Sequence, residues 1–599
     1  MSPVRGLLGL HHRNEPGRIP SVPTSQGGYI VVNVDKLHFY VNLVLGVVTA
    51  YLTVLFVVHN DTIYALGFGV AALLFWAALR SYRRSQLREY RQVLHGTWGE
   101  AKQRKRSFAD LEEAHQRMSQ DHEGFMIDGR TWEDLNMNDV FVLLDRTLTA
   151  CGQQVLYHLL HIPLFDCGQL TQRGRRITAF QEDESFRDKI QMTLVSLGEY
   201  DGEDVTRALW HQLPSGQTSL VVAKLLSWAA MASPLLFFWS PRQALMVVAG
   251  LFVVNMNIHY REQRIAEGHF GSLKYISRLV RVGQRLARVD HPEFRSIVTE
   301  IRQTVAPLSK LPQQVSVLGS GRAGGDATEA FVQYLNIFFL LEVQSYRKAR
   351  SLVDQERTAA QRLFRAVGEI DALQAAASYR DGLQYFCEPH LDGNVKLTMD
   401  AAYHPLLEEP VANSLCVRGS GVLITGSNMS GKSTFLRTLG INALLAQTLF
   451  TCHARRYESP LVQLLTSIGR SDNVVEGKSY YLVEAMAVKR IIDNVNDQIA
   501  TLAIIDEIFR GTNSEERIKA SQGVLEYLCQ QNSQVFCATH DLELVDLLGS
   551  TVENYHFREQ LSEAEGLHFD YQLHSGPSTT KNALRLLRYL GYPPAVTRE

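Results

Sequence analysis

At 599 residues, 45% apolar and 20% charged, the chain is too long for one domain and too apolar for a disordered one. Lysine and arginine number 60 against 62 aspartates and glutamates, and the net charge of −2 excludes a global electrostatic pull toward nucleic acid. The seven cysteines are scattered without a Cys-x-x-Cys, which excludes a zinc knuckle and suits reduced thiols in the cytoplasm.

In chain order, the first expected elements are membrane helices. Residues 37–58 and 62–79 carry no charged side chain and are separated only by His59, Asn60 and Asp61. A spanning helix needs roughly 17–25 such residues, so a transmembrane hairpin is expected. It starts too late and runs too long for a cleaved signal peptide. Arg5, Arg13 and Arg18 precede it and Arg80, Arg83, Arg84, Arg88 and Arg91 follow it; basic flanks put both ends on the cytoplasmic side. A basic run follows at Lys102, Arg104, Lys105 and Arg106.

A second hairpin is expected at 225–239 and 244–258, turning through Ser240, Pro241, Arg242 and Gln243, with Lys224, Arg261 and Arg264 as its guards. Each arm is near the short limit of a span, and Arg242 in the turn leaves re-entrant insertion and burial open. Arg278, Arg281, Arg285 and Arg288 recur at spacings that place them on one helix face. That face is open to three readings: solvent, anionic lipid, or a DNA backbone. Residues 319–325, rich in glycine, read as a linker.

The strongest chemistry lies further on. The β-branched run 422–425 reads as a buried strand, and Gly426, Ser427, Asn428, Met429, Ser430, Gly431, Lys432, Ser433 and Thr434 fit G-x-x-x-x-G-K-[ST]. Strand, glycine loop and helix aim backbone N–H groups at an anion. Lys432 is expected to reach the β- and γ-phosphates of ATP, and the Ser433 hydroxyl to ligate Mg²⁺. The apolar run 502–505 ends in Asp506 and Glu507; Asp506 is assigned to the metal and Glu507 to the attacking water. A third apolar run, 534–539, ends at His540, a candidate sensor of the γ-phosphate.

These residues resemble the MutS family of DNA mismatch-repair ATPases, whose phosphate loop reads G-P-N-M-G-G-K-S-T; Asn428 and Met429 are the pair that separates it from other phosphate loops. Ile468, Gly469, Asp472, Gly477, Ser479 and Glu484 follow the family's I-G-x-x-D-x-x-x-x-G-x-S-T-F-x-x-E pattern. Asp506, Glu507, Ile508, Arg510, Gly511 and Thr512 resemble D-E-I-G-R-G-T; Ala538, Thr539 and His540 resemble A-T-H, and His404 and Pro405 the H-P that opens the ATPase domain. Upstream, residues 144–152 and 370–373 resemble the start of the family's helical core and its return to the ATPase. Four departures stand out: Ser427 for Pro, Ser430 for Gly, Tyr480 and Tyr481 for Thr-Phe, and Asp541 where an aromatic is usual. No segment is expected to form the Phe-x-Glu mismatch-reading domain or the C-terminal dimerisation appendage.

The resemblance implies a multidomain α/β plus α chain. Its expected parts are 1–95 with the first hairpin, 96–400 as an all-α core and lever domain interrupted by the second, and 401–599 as an ABC-type P-loop ATPase domain. It also implies a homodimer in which Ser479 contacts the γ-phosphate in trans, so that ATP closes the dimer and hydrolysis reopens it, moving the long helices. The expected location is the cell (inner or plasma) membrane, multi-pass, with the ATPase and helical parts in the cytoplasm. Three roles stay open: a membrane-tethered MutS-like ATPase acting on duplex DNA, as in mismatch repair; the same ATPase switching a membrane protein partner; and an ABC-type half-transporter, against which stands the missing L-S-G-G-Q signature.

Overall fold

The computed structural model describes residues 51, 62–104, 106–198, 205–316, 318, 327–391, 397–427, 430–469, 480–509, 512–562, 566–577 and 592–593. The arm at 37–58 apart from Tyr51, the three amino-terminal arginines, the linker 319–325, Lys105, Asn428, Met429 and Ser479 lie outside the described residues. The chain divides into two compact units: Met1–Thr97, Leu213–Ser277 and Lys310–Gln355 make one; Trp98–Gln212, Arg278–Ser309 and Glu356–Glu599 make the other.

In the first unit, the segment expected to stop at residue 79 is part of one helix, Thr62–Gly96. Leucine, alanine, glutamine and arginine sustain a helix, and without a proline nothing breaks it before Gly96. The second hairpin is present with shifted bounds. Ser219 caps the helix Leu220–Ala232 by accepting from Val222 N, a 3₁₀ stretch Ser233–Phe238 continues it, and the returning helix is Pro241–Ala266. Pro241 opens the second arm rather than sitting in the turn, because its missing N–H costs nothing at the first helical position.

Leu220–Phe238 and Pro241–Ala266 are the two helices, among the described residues, long and apolar enough to cross a membrane; their apolar windows have mean hydropathies of 1.7 and 1.3 and are each only 17% buried. A further helix, Ala327–Phe339, packs against them. Asn255, fully buried on the returning arm, donates to Phe338 O at 2.7 Å, and Phe252 lies against Tyr334 and Phe338. Polar contacts collect beyond this apolar stretch. There Glu262 accepts from Gln217 N and Thr218 N, at 2.8 and 2.7 Å, and lies 3.7 Å from Arg347, while His259 is 4.0 Å from Glu342.

The second unit joins a helical layer to a mixed sheet. Its six-stranded sheet has the order β5-β6-β7-β3-β8-β9, where β3 is Gly421–Thr425, β5 Val462–Ser467, β6 Ala500–Asp506, β7 Ser533–Thr539, β8 Val552–Ser562 and β9 Gly566–Ser575. β5, β6, β7, β3 and β8 run parallel, and β9 returns antiparallel to β8. Every residue of β3 and β7 is buried, as parallel strands covered on both faces require. A small antiparallel sheet, order β2-β1-β4, is made by β1 Leu397–Ala402, β2 Asn413–Val417 and β4 Arg456–Glu458.

The helical layer brings the two upstream motifs together. Asp371, fully buried on the long helix Arg357–Asp381, accepts from Leu148 N at 2.9 Å, and from Thr149 N and Thr149 Oγ1 at 2.8 and 2.6 Å. Burial pushes its carboxyl above the usual value despite these donors. Arg146 reaches from the same segment to Ser378 O. A Cβ on Gly152 would lie 2.1 Å from Asp371 Oδ2, which explains the glycine there.

Several members of the two basic patterns bond within the chain, while Arg281, Arg285 and Arg288 stay on the exposed surface. Arg104 and Arg106 pair with buried Asp145 at 3.2 and 2.8 Å, and Lys102 donates to Thr147 O at 2.9 Å. Burial pushes the Asp145 carboxyl up, but Arg104, Thr147 and Arg106 outweigh it and hold it below the usual range. Arg278 donates to Leu197 O and Arg285 to Ser196 Oγ, at 3.3 and 3.1 Å. They reach the carboxyl end of the helix Glu184–Val195, where exposed carbonyls and the helix dipole favour cations.

Candidate nucleotide site

The register of the parallel strands builds the site. Thr425 lies beside Thr539, and Ala538 beside Asp506, so the exits of β3, β6 and β7 stand at one level of the sheet edge. In an open parallel sheet the carboxyl ends of the strands are where ligands bind. The glycine loop leaves β3 there and enters the helix Lys432–Thr448. Gly426 (φ 144°) needs glycine twice over: its φ is positive, and a Cβ would meet Phe557 O at 2.9 Å.

Lys432, only 5% exposed, folds back over the loop and donates through Nζ to Gly426 O at 2.7 Å and Ser427 O at 2.8 Å. Ser430, the departure from the family's glycine, donates to Ser427 O at 2.8 Å and so tightens the loop. Ser433 donates to Asp506 Oδ2 at 2.5 Å. The loop hydroxyl and the β6 carboxylate are thus already together, and two hard oxygens suit Mg²⁺. Glu507 follows in left-handed backbone (φ 58°), its N–H donating to Ala538 O at 2.9 Å, and it meets His540 Nδ1 at 3.1 Å. Phe509 is left-handed too (φ 57°); such conformations persist where the surroundings dictate them, and they cluster at functional sites.

The bond to Glu507 raises the His540 pKa above its usual 6.5, with its partial burial opposing. The sign follows from linkage. A raised imidazole contributes stability fully present below the ordinary value and lost as pH rises through the raised one. A proton-NMR titration of His540 is therefore expected to give a midpoint above 6.5, and Glu507→Gln to lower it. An unchanged midpoint in that variant would show that Glu507 does not set it.

The sequence-assigned residues Lys432, Ser433, Asp506, Glu507 and His540 all converge at this edge, together with Gly426, Ser427, Ser430, Gly431 and Thr434 of the loop. Three features escaped sequence reading. Tyr571 on β9, half-exposed and left-handed (φ 53°), lies against Gly431, where a Cβ would come 3.3 Å from its ring. Arg517 and Asp541 form a two-pronged ion pair beside His540. Asp134, from the helical layer, accepts from Thr466 Oγ1, Ile468 N and Gly469 N at 2.8, 2.9 and 2.8 Å, while its carbonyl accepts from Arg437 on the loop helix at 2.8 Å. It therefore grips both the loop helix and the start of the I-G-x-x-D segment. No short-range pattern marks any of the three.

A phosphate loop at β3, an acidic pair at β6 and a histidine at β7 define the class: a P-loop nucleotide-binding fold. The profile of MutS domain V matches residues 422–599. The DNA mismatch repair protein MutS of Chlorobaculum tepidum is 31% identical over 269 residues, 43% of this chain and 30% of the relative; that of Natronomonas pharaonis is 30% identical over a similar stretch. The MutS of Thermus aquaticus is 26% identical over 493 residues, 76% of this chain and 59% of its own length. The chain thus spans between about a third and three fifths of the length of these relatives. Residues 422–599 therefore match MutS domain V, and the similarity to MutS proteins extends upstream of it.

Proposed function

We propose that this chain is a membrane-anchored MutS-family ATPase that binds and hydrolyses ATP with Mg²⁺ at the interface of a homodimer. The observation that carries it is the meeting of Ser433 with Asp506 and of Glu507 with His540 on adjacent strand exits, directly above the loop held by Lys432. In this reading the loop N–H groups and Lys432 bind the β- and γ-phosphates, and Tyr571 offers its ring to the base beside the loop. Ser433 and Asp506 would hold Mg²⁺, which supplies charge neutralisation on the phosphate oxygens. Glu507 orients and deprotonates the attacking water, His540 carries positive charge toward the γ-phosphate, and Ser479 completes the site from the second subunit. Lys432→Ala is expected to weaken ATP binding by about tenfold or more, through loss of a charge-assisted contact; equilibrium binding of a fluorescent ATP analogue checks it, and unchanged affinity would remove the loop from its role.

Membrane anchoring is supported by the exposed apolar faces of the hairpin. Leu225, Trp228, Met231, Leu245, Met246, Val253 and Val254 are each more than about two fifths exposed, and Phe238 and Trp239 at the turn are 90% and 93% exposed. In water such a surface drives aggregation, and in a bilayer it is the contact itself. Full-length protein is expected in the membrane fraction and released only by detergent; recovery in the soluble fraction sinks this part. The flanks then share the cytoplasm with ATP.

The names of the relatives point to DNA as the partner. A second reading, an ATP-driven switch acting on a membrane or protein partner, is favoured by a specific observation: Lys102, Arg104, Arg106, Arg278 and Arg285 bond within the chain. ATP turnover of the detergent-solubilised protein with and without duplex DNA separates the two. Stimulation that falls steeply with salt supports DNA; turnover indifferent to DNA supports the other partner.

A further inference from the structure

Asp541 stands immediately after His540, where the family pattern has an aromatic, and a carboxylate there needs a reason. Its two oxygens accept from Arg517, Oδ2 from Nε at 2.9 Å and Oδ1 from a terminal nitrogen at 2.6 Å. This fork-on-carboxylate geometry is the most directional ion pair that side chains make. The pair is mostly shielded, with the side chains 17% and 12% exposed. The Asp541 N–H also donates to Thr539 Oγ1 at 3.0 Å, so the turn that carries His540 is tied at both ends.

Arg517 sits close to the start of the helix Ser514–Gln530, among Glu515 and Glu516. A cation there opposes the helix dipole, whose positive end favours the two glutamates. Asp541 supplies the counter-charge that makes the position tenable, and the pairing raises the Arg517 pKa. The segment between β6 and this helix holds Glu507 and Phe509 in left-handed backbone. Glu507 is tied to β7 by its N–H, and the helix beyond is tied to the exit of β7 by Arg517. The segment carrying Glu507 is therefore fastened on both sides to the strand that ends in His540.

We propose that Arg517 and Asp541 are positioning residues that hold the Glu507 segment and His540 in register for hydrolysis. Resting on the ATPase reading, the inference goes beyond it in assigning a task to two residues that touch neither phosphate nor metal. A clamp of this kind acts on the reacting geometry and leaves nucleotide affinity alone, because the loop and Lys432 do the binding. Small misplacements of such groups are costly in rate.

The test is a double-mutant cycle on the full-length protein in detergent, with Arg517→Ala, Asp541→Ala and both together, beside the milder Asp541→Asn and Arg517→Lys. kcat, KM, ATP affinity and thermal midpoint are measured for each. Each alanine variant is expected to lose about tenfold or more in kcat with ATP affinity within about twofold, and the double variant is expected to be no slower than the slower single. Arg517→Lys is expected to recover part of the rate, since it keeps the charge and loses the fork. Unchanged kcat in variants that bind ATP overturns the inference while leaving the ATPase reading intact, as does multiplicative loss in the double variant. Should alanine variants fail to fold, the same kcat-against-affinity split in Asp541→Asn and Arg517→Lys decides. Wild-type protein that binds no ATP and shows no turnover overturns the ATPase reading, and this inference with it.

Discussion

Glu507→Gln is expected to bind ATP as the wild type does and to hydrolyse it at least about 10²-fold more slowly, the usual contribution of a positioned general base. The substitution keeps the volume of the side chain and its place at the exit of β6, where the Glu507 N–H is fixed to Ala538 O. What it removes is the negative charge and the basicity that, in the proposed mechanism, take a proton from water. In the proposed site the phosphates and the metal fall to other groups: Lys432 on the loop for the phosphates, and Ser433 with Asp506, 2.5 Å apart, for Mg²⁺. The variant should therefore accumulate with ATP bound and remain a closed dimer. Filter binding, phosphate release and light scattering of one preparation read the three quantities. Wild-type phosphate release would take Glu507 out of the role assigned here. The same substitution removes the partner that raises the His540 pKa, so the lowered NMR midpoint reports that the contact is made.

The second large effect is structural. Asp371→Ala is expected to destabilise the unit that carries the nucleotide site by about 3–5 kcal/mol, because it takes away the carboxylate to which the Leu148 and Thr149 N–H groups donate in the interior. Leu148 N, Thr149 N and Thr149 Oγ1 all converge on this carboxylate, and Gln374 adds a fourth donor at 2.9 Å. The expected drop in thermal midpoint is roughly 10 °C, read by the melting of intrinsic fluorescence. Gly152→Ala should act from the opposite side, since its Cβ would displace the Asp371 carboxylate from a distance of 2.1 Å. A variant at Asp371 that melts with the wild type would show that the helical layer does not depend on this knot.

The two effects separate what was readable from what was not. Lys432, Ser433, Asp506, Glu507 and His540 were legible because each lies where an apolar strand meets a loop, and strand and loop are written in consecutive residues. The matching of residues 144–152 with 370–373 was legible only through family resemblance; the reason for it, a buried carboxylate against two backbone N–H groups, became visible in the packing. The partners of the basic runs were not legible either. Spacing placed Arg278 and Arg285 on one face, but nothing local said that the face meets the carboxyl end of another helix. The helix bounds around Pro241 moved because proline suits both a turn and a first helical position, and only the surrounding chain selects between them.

Residue order by itself therefore determined the phosphate loop, the acidic pair, the apolar segments and the resemblance to MutS, since each is a property of neighbours along the chain. The tertiary structure alone decided which distant groups meet. It set Tyr571 against Gly431, Asp134 against the I-G-x-x-D segment, Ala327–Phe339 against the hairpin, and Arg517 against Asp541. These contacts depend on how strands register and helices pack, which is an energy of the whole unit and leaves no mark in any short stretch of sequence.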